Sequence, residues 1–210
     1  MFDYLKDPHA IYRASFAAIE AEADLAAIPP DMRPVALRII HACGMIDIAE
    51  DLCWSADAVA AGAAALESGA PVICDTAMVA AGIMTAQLPA DNAVLTAIEQ
   101  DGAGAMAKRD DTTKSAGGIA ALADQLAGAV VVIGNAPTAL FRLLELATDP
   151  ARRPALVLGF PVGFIGAAQS KAALADNALG LPFIALKGRR GGSAMAAAAL
   201  NSLIVPEPEQ

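Results

Sequence analysis

The sequence predicts a single-domain α/β protein with a mostly parallel five-stranded sheet, flanked by helices and preceded by a helical N-terminal segment. Apolar residues follow a helical rhythm over the first 70 residues, with breaks at proline and glycine. From residue 70 onward, short apolar runs alternate with helical stretches, a pattern typical of βαβ units with right-handed crossovers. A length of 210 residues suits one domain with a full hydrophobic core.

Three helices are predicted before residue 70, and their limits come from capping and breaking residues. The predicted starts are Asp7-Pro8, Asp31 and Ser55, and the predicted ends are Ile28-Pro29-Pro30, Gly44 and Gly69.

Five apolar runs beyond residue 70 are the predicted strands. Each is followed by polar or glycine-containing residues and then by an Ala-rich or amphipathic stretch, so we expect a parallel sheet covered on both faces. The runs are Pro71–Cys74, Ala93–Ile98, Ala129–Ile133, Ala155–Leu158 and Phe183–Leu186. Residues 1–210 are read as one domain, in which only the tail Pro206–Gln210 is predicted to be disordered.

Composition excludes several classes of function. A net charge of −9 and a pI near 4.6 argue against nucleic acid and anionic membrane surfaces as partners. Apolar residues make up 56%, but no run of about 18 consecutive apolar residues occurs, so we expect no transmembrane helix. The N-terminus lacks the pattern of a signal peptide. Cys43, Cys53 and Cys74 form no CxxC pair and are expected to be buried, reduced thiols of a cytoplasmic protein.

Three glycine-bearing loops follow predicted strands, at residues 134–138, 159–166 and 187–193. In an open parallel sheet, ligands bind beyond the carboxyl ends of the strands, where these loops would lie. Glycine allows a ligand to approach the backbone, and the helix start that follows offers N–H groups to anions. None of the loops matches a dinucleotide or P-loop fingerprint. They therefore indicate a ligand site, with tight βα turns as the alternative.

Cations accompany these loops and one further turn. They are Lys171, Lys187, Arg189 and Arg190 in the second half of the chain, and Lys108, Arg109 and Lys114 around residues 110–113. Lys114 stands in the first turn of a predicted helix, where a cation opposes the helix dipole and a bound carboxylate would relieve the conflict. The alternative is a set of solvated surface charges.

His41 is the candidate catalytic residue. Arg38 and His41 are three residues apart on one helix face, and Ile39 and Ile40 between them are expected to be buried. Because His41 falls in the last turn, we expect the helix dipole to favour its imidazolium form. A histidine so placed can donate a proton, although a structural or capping role fits the same pattern. The two histidines and three scattered cysteines lack the spacing of a metal site, and no GxSxG or HExxH motif occurs.

Six ordered segments together resemble the precorrin-8X methylmutase (precorrin isomerase) family, from near the N-terminus to about residue 203. They are Asp7-Pro8 with Ser15-Phe16 and Glu22, residues 38–44, Asp75 with Met78-Val79 and Gly82-Ile83, residues 134–140, residues 161–167 with Ser170-Lys171, and Gly188 with residues 191–193. Lys114 departs from the arginine expected in its Thr-Thr-Lys-Ser stretch, which keeps the charge but loses a bidentate fork for carboxylates.

The resemblance implies an isomerase of cobalamin biosynthesis that moves a methyl group between adjacent ring-C carbons of precorrin-8X to give hydrogenobyrinate. It implies a homodimer with the macrocycle near the subunit interface and no metal or redox cofactor. His41 corresponds to the family's proton donor or acceptor. The residues expected to contact the substrate are Ser15, Arg38, Lys114, Asn135, Thr138, Gly163, Lys187, Gly191 and Ser193.

Two other functions remain open at this point. One is a transferase or dehydrogenase that uses a phosphorylated cofactor at the glycine loops, against which the missing fingerprints count. The other is a corrinoid carrier that binds the product without catalysis, with His41 as an orienting hydrogen-bond donor. Turnover separates the enzyme from the carrier, since both would bind the product.

Overall fold

The computed structural model describes residues 2–176 and 178–204, which form six strands and nine α-helices. The strands are β1 (Leu52–Trp54), β2 (Val72–Cys74), β3 (Val94–Thr96), β4 (Val130–Ile133), β5 (Leu156–Gly159) and β6 (Phe183–Leu186). The helices are α1 (Pro8–Glu22), α2 (Arg33–Cys43), α3 (Ala58–Glu67), α4 (Ala77–Gly82), α5 (Ala103–Arg109), α6 (Lys114–Ala121), α7 (Pro137–Leu146), α8 (Ala167–Asp176) and α9 (Ser193–Asn201).

The strands form one sheet in the order β1-β6-β5-β4-β2-β3. All neighbouring pairs are parallel except β1 with β6, which is antiparallel. The predicted α/β class and all five predicted strands are confirmed. The predicted number of strands is wrong, because β1 adds a sixth at one edge of the sheet.

Alternate residues of the central strands enter two separate hydrophobic cores, one on each face of the sheet. In β4, Val130 and Val132 belong to the core beneath α2, α3 and α9, whereas Val131 and Ile133 belong to the core beneath α7 and α8. All four are fully buried. A strand covered on both faces has an uninterrupted apolar sequence, which is why these runs were predictable.

Two predicted helix starts are wrong. Met32, and not Asp31, occupies the N-cap of α2 and provides no side-chain capping bond. Helix α3 begins at Ala58 after Asp57, because the Ser55 hydroxyl instead accepts the Phe183 N–H at 3.0 Å. Ser55 therefore joins the start of α3 to strand β6.

In the described residues, no helix combines the length and apolar character needed to cross a membrane. The tail predicted to be disordered, Pro206–Gln210, lies outside those residues. Strands β2, β4, β5 and β6 run parallel to one another, so the segments that follow them all emerge at the same edge of the sheet. This edge carries the glycine loops.

Candidate active site

His41 lies in the last turn of α2, as predicted. The helix ends at Gly44, whose φ is 69° and whose N–H donates to the Ile40 carbonyl at 2.7 Å. Glycine adopts this left-handed conformation without steric cost, so Gly44 determines where the helix stops. Ile40 is buried while His41 is exposed. The end of α2 thus presents the imidazole at the surface above an apolar base.

Three side chains of α1 contact the imidazole of His41. Ser15 Oγ lies 2.8 Å from Nδ1, within hydrogen-bond distance. The Phe16 ring stacks at 5.1 Å between centroids, and the Tyr12 ring meets the imidazole edge-on at 5.6 Å. Because Ser15 engages Nδ1, the other ring nitrogen, Nε2, is the one left for a substrate.

The expectation that the helix end favours the imidazolium is wrong for the unliganded protein. Partial burial lowers the pKa of His41 below its ordinary value, and the positive charge of Arg38 lowers this pKa further. The burial depends on the packing of α1 side chains against the ring, which the sequence alone did not show. His41 is therefore mainly neutral near pH 7.

Arg38 is buried although it is charged, with 6% of its surface exposed. Its Nη2 atom is buried and has no hydrogen-bond partner in the described residues. The guanidinium lies 6.0 Å from the centre of the Tyr12 ring. A buried charge is normally paired, so an unpartnered guanidinium nitrogen at a cleft indicates a place for an anion.

His41 stands between two open clefts. Arg38 and His41 line the first, of about 260 Å³, with Tyr12, Ala42, Gly82, Met84, Ala194, Ala197, Ala198 and Asn201. Ser15, Glu22 and His41 line the second, of about 210 Å³, with Ala18, Ile19, Ile40, Gly44 and Ile46. Small side chains of α9 form one wall of the first cleft. The site is therefore mostly apolar, with a few polar groups directed at it.

Asn201 fixes the wall opposite α2. Its Oδ1 accepts the Met84 N–H at 3.0 Å, and its Nδ2 donates to the Gly82 carbonyl at 2.9 Å. Sequence reasoning missed Asn201 and Tyr12, because they reach the cleft only through helix packing. No local pattern marks either residue.

The three glycine loops meet where α9 begins, as their positions after the strands predicted. The Gly192 N–H donates to the Phe160 carbonyl at 2.8 Å, and the Gly163 N–H donates to the Arg189 carbonyl at 3.1 Å. A Cβ atom on Gly134 would stand 2.8 Å from Ser193 Cα. Of the predicted contact residues, Asn135, Gly163, Gly191 and Ser193 therefore belong to this group of loops.

Asp75 holds one of these loops in place. Its buried carboxylate accepts the N–H groups of Gly134, Asn135 and Ala136 at 3.0, 2.9 and 2.8 Å. Burial raises the pKa of Asp75, and the three N–H bonds oppose that rise. The sequence-based site left Asp75 out. Its position directly after strand β2, at the ligand edge of the sheet, was the signal.

Two of the cations near the glycine loops are already engaged. Arg190 pairs with Asp47 and Asp51, each at 2.6 Å. The buried ammonium of Lys171 donates to the Arg190 carbonyl, and burial lowers the pKa of Lys171 to about 8. Both residues therefore anchor the loop before α9. Lys187 and Arg189 are exposed, and Arg189 lies over the Phe164 ring at 5.3 Å.

Thr138 lines a third cleft, and Lys114 is the first residue of the nearby helix α6. Thr138 Oγ1 is 2.7 Å from Thr113 Oγ1, and Thr113 caps α6 by accepting the Ala116 N–H. Lys114 stands in the first turn of α6, as predicted, and its side chain is exposed. The cleft here, of about 220 Å³, is lined by Asp110, Asp111, Thr112, Ala116, Thr138, Phe141, Arg142 and Glu145. It shares no lining residue with the clefts at His41.

The cysteines are only partly as expected. Cys74 is buried, and burial raises the pKa of its thiol to about 12, but Cys43 and Cys53 are half-buried. All three are free thiols. Within the described part of the chain, no group of three or more His, Cys, Asp or Glu side chains is arranged to hold a metal ion.

Comparison with known proteins gives a consistent result. The model of the family "Precorrin-8X methylmutase" matches residues 10–205. The chain is 53% identical over 203 residues to a precorrin-8X methylmutase of Pseudomonas aeruginosa, a match that covers 97% of this chain and 98% of the relative. It is 49% identical to one of Sinorhizobium sp., with 98% of both chains covered. A cobalt-precorrin-8 methylmutase of Priestia megaterium is 33% identical, with 94% of this chain and 88% of the relative covered.

Solved structures agree with the sequence comparison. The crystal structure of a precorrin-8X methylmutase from Thermus thermophilus superimposes with a TM-score of 0.84 at 36% identity, covering 93% of this chain and 94% of that chain. The family match, the identity over nearly the whole chain and the shared fold point the same way. The chain belongs to the precorrin-8X methylmutase family, the isomerases of cobalamin biosynthesis.

Proposed function

We propose that the protein converts precorrin-8X to hydrogenobyrinate by moving a methyl group between adjacent carbons of ring C, with His41 as the general acid. The observation that carries this proposal is the arrangement of His41, Ser15 and Arg38 at one apolar site in a chain of this family. It joins a proton donor, a group that orients the donor and a cation.

The reaction is an internal rearrangement, so it requires no nucleophile from the protein. An acid that withdraws electron density from the conjugated ring system as the methyl group moves lowers the barrier, by a factor of about 10² to 10⁴ for a typical general acid. Ser15 Oγ, accepting a hydrogen bond from Nδ1–H, would hold the imidazole so that Nε2 delivers the proton. The surrounding apolar residues would fix the substrate conformation.

The substrate carboxylates are proposed to bind at several positions around this acid. Arg38 offers an unpartnered guanidinium nitrogen, and the first turn of α9, after Gly191 and Gly192, offers N–H groups that lack partners within the helix. The remaining proposed contacts are Ser15, Lys114, Asn135, Thr138, Gly163, Lys187 and Ser193. Local groups would hold the anion against the overall charge of −9.

We propose that the active form is a homodimer with the site near the subunit interface. The first cleft, of about 260 Å³, falls below the roughly 300–1,000 Å³ of usual ligand pockets, and a tetrapyrrole needs the larger end of that range. A second subunit would supply the missing wall. Phe164 and Ile165, which are 80% and 89% exposed, are apolar residues suited to such a contact. The free thiols suit a cytoplasmic location.

The metal-free substrate is favoured over its cobalt form. The relatives at 53% and 49% identity are named precorrin-8X methylmutases, whereas those named cobalt-precorrin-8 methylmutases are 32–34% identical. A time course with each substrate, followed by visible absorption, compares the two directly.

Turnover by the purified protein tests the function. With precorrin-8X and no added metal or nucleotide, the visible spectrum should change to that of an orange-to-red corrinoid. His41→Asn keeps a neutral hydrogen-bonding side chain but cannot act as a general acid. We therefore expect the rate to fall by a factor of about 10² to 10⁴ while the tetrapyrrole still binds. His9→Asn, at the exposed start of α1, is the matched control.

Three outcomes would contradict the proposal. A strict requirement for a nucleotide or a metal would exclude this reaction as written. Near-normal turnover by His41→Asn would show that the histidine only orients the substrate. Tight product binding without any turnover would identify a corrinoid carrier instead.

A further inference from the structure

The guanidinium of Arg38 is incompletely satisfied in the unliganded protein. The residue is 6% exposed, and its Nη2 atom is buried without a hydrogen-bond partner in the described residues. The guanidinium lies over the ring face of Tyr12. None of the other residues lining the first cleft carries a negative charge. A planar, permanently charged fork in apolar surroundings matches a carboxylate, which can accept two parallel hydrogen bonds.

His41 is three residues further along the same helix and lines the same cleft. Residues with this spacing are neighbours on a helix surface. Burial is the larger cause that lowers the pKa of His41 and favours its neutral form, and the positive charge of the neighbouring Arg38 adds to it. A guanidinium does not lose its proton in proteins, so Arg38 keeps its positive charge. Its effect on the protonation of His41 can therefore be reduced only by an anion that binds beside it.

Few other charged or titratable groups face His41. From α1, Tyr12 contacts the ring and Glu22 lines the second cleft. From α9, Asn201 lines the first cleft with three alanines, and Gly82 and Met84 complete its far side. Towards the end of α2, the second cleft continues with Gly44 and Ile46. Among the described residues that line the two clefts, Arg38 is thus the single permanent cation.

We propose that Arg38 is a carboxylate-binding switch: when a carboxylate of the ligand pairs with its guanidinium, His41 takes up a proton from solvent. The inference rests on the proposed function for the identity of that carboxylate, since a tetrapyrrole substrate would carry it. The protonated fraction of His41 is then larger with the substrate seated than in the empty site.

The proton balance of this step is simple. The carboxylate enters as an anion and forms hydrogen bonds to Arg38 without a change in its own protonation. One proton from water or buffer binds Nε2 of His41, so no other bond is broken. With the neutral ring in the Nδ1–H tautomer, Nδ1–H would donate to Ser15 Oγ, 2.8 Å away, in both the neutral and the charged form. The hydroxyl thereby keeps the ring oriented while Nε2 gains and later donates the proton.

Proton NMR can follow this switch without the natural substrate. The chain contains two histidines, so His9 serves as an internal reference for the titration of His41. Propionate is the probe, with sodium chloride at equal ionic strength as its control. We expect propionate to move the His41 midpoint to higher pH in a saturable manner and to leave that of His9 unchanged. Calorimetry in buffers of different ionisation enthalpy should detect the accompanying proton uptake.

Two variants assign the effect to Arg38. In Arg38→Met the cation is lost, so the His41 midpoint should rise without any anion and should no longer respond to propionate. Arg38→Lys keeps a positive charge and should retain a low midpoint. If Arg38→Met does not fold, the propionate titration of the unmodified protein still decides the matter. An unmoved His41, or an equal response in the unmodified protein and Arg38→Met, would overturn the proposal.

The switch and the proposed function can fail separately. If propionate shifts the His41 midpoint but the protein does not convert precorrin-8X, the switch stands and the proposed reaction is wrong. If the protein converts precorrin-8X but propionate leaves the His41 midpoint unchanged, the proposed reaction stands and the switch is wrong.

Discussion

Replacement of Asp75 by asparagine should destabilise the protein measurably. The Asp75 carboxylate accepts three backbone N–H groups, one at Oδ1 from Gly134 and two at Oδ2 from Asn135 and Ala136. Asparagine has one acceptor oxygen and one donor group. If its oxygen serves Asn135 and Ala136, its amide faces the Gly134 N–H, and this buried donor loses its partner.

The magnitude follows from these contacts. An unsatisfied buried donor costs about 1–3 kcal/mol, and the two remaining bonds lose roughly 1 kcal/mol each with the charge. The neutral amide is cheaper to bury, which offsets part of that loss. A net destabilisation of about 2–4 kcal/mol results. For a chain of 210 residues this corresponds to a decrease in Tm of roughly 4–15 °C.

Differential scanning calorimetry measures this difference, with the protein concentration held equal in all samples so that the Tm values are comparable. Asp101→Asn, a change of the same chemistry at an exposed residue, is the control and should leave Tm nearly unchanged. If Asp75→Asn melted within a degree of the unmodified protein, the loop would not depend on the three N–H bonds, and the reasoning would be refuted.

Three further predictions concern other parts of the molecule. Lys114→Ala should weaken substrate binding by roughly 1.5–3 kcal/mol if Lys114 forms a desolvated charge-assisted bond, and an unchanged Kd relative to a Lys108→Ala control would show a solvated surface charge. Gly117→Ala places a Cβ atom 2.2 Å from the Ala103 carbonyl oxygen and should cost about 1–3 kcal/mol in denaturant unfolding, whereas Gly104→Ala meets nothing within 4 Å and should not destabilise. Folding lowers the pKa of Lys171 from 10.5 to about 8. Between pH 8 and pH 10.5 the unfolded chain therefore binds more protons than the folded protein, so the free energy of unfolding should rise with pH relative to that of Lys171→Met. Equal pH dependence of the two proteins would contradict that sign.

The fold was predictable where burial shapes the sequence directly. Strands β2, β4, β5 and β6 are buried on both faces and form apolar runs that no surface pattern interrupts. Strand β1 has three residues and is only partly buried, and its partner β6 lies about 130 residues further along the chain. Nothing local distinguishes it from the loops around it, so pairing with a distant strand had to be seen in three dimensions.

The positions of several candidate residues were predictable, whereas their roles stay predictions. Arg38 and His41 line one cleft and the glycine loops converge, because helix spacing and strand ends determine those positions. The contact of Ser15 with His41 comes from the packing of α1 on α2. Charge states were not predictable. Arg190 is paired with Asp47 and Asp51, residues about 140 positions away, and burial together with the charge of Arg38 lowers the pKa of His41. Both effects depend on which side chains the fold brings together.

The position of Arg38 inside the cleft affects a bound carboxylate more than the overall charge of the protein does. Fields from distant surface charges are screened over about 8–10 Å at physiological salt, so the net −9 weakly affects a carboxylate already seated at the site. Arg38 is 6% exposed and escapes most of that screening. A surface cation would attract the substrate equally well before binding, but it would be solvated and could not control the protonation of His41. Because Arg38 is buried, one carboxylate bound to its guanidinium would change the electric field at His41. In the proposed switch, this change links substrate binding to the protonation of His41.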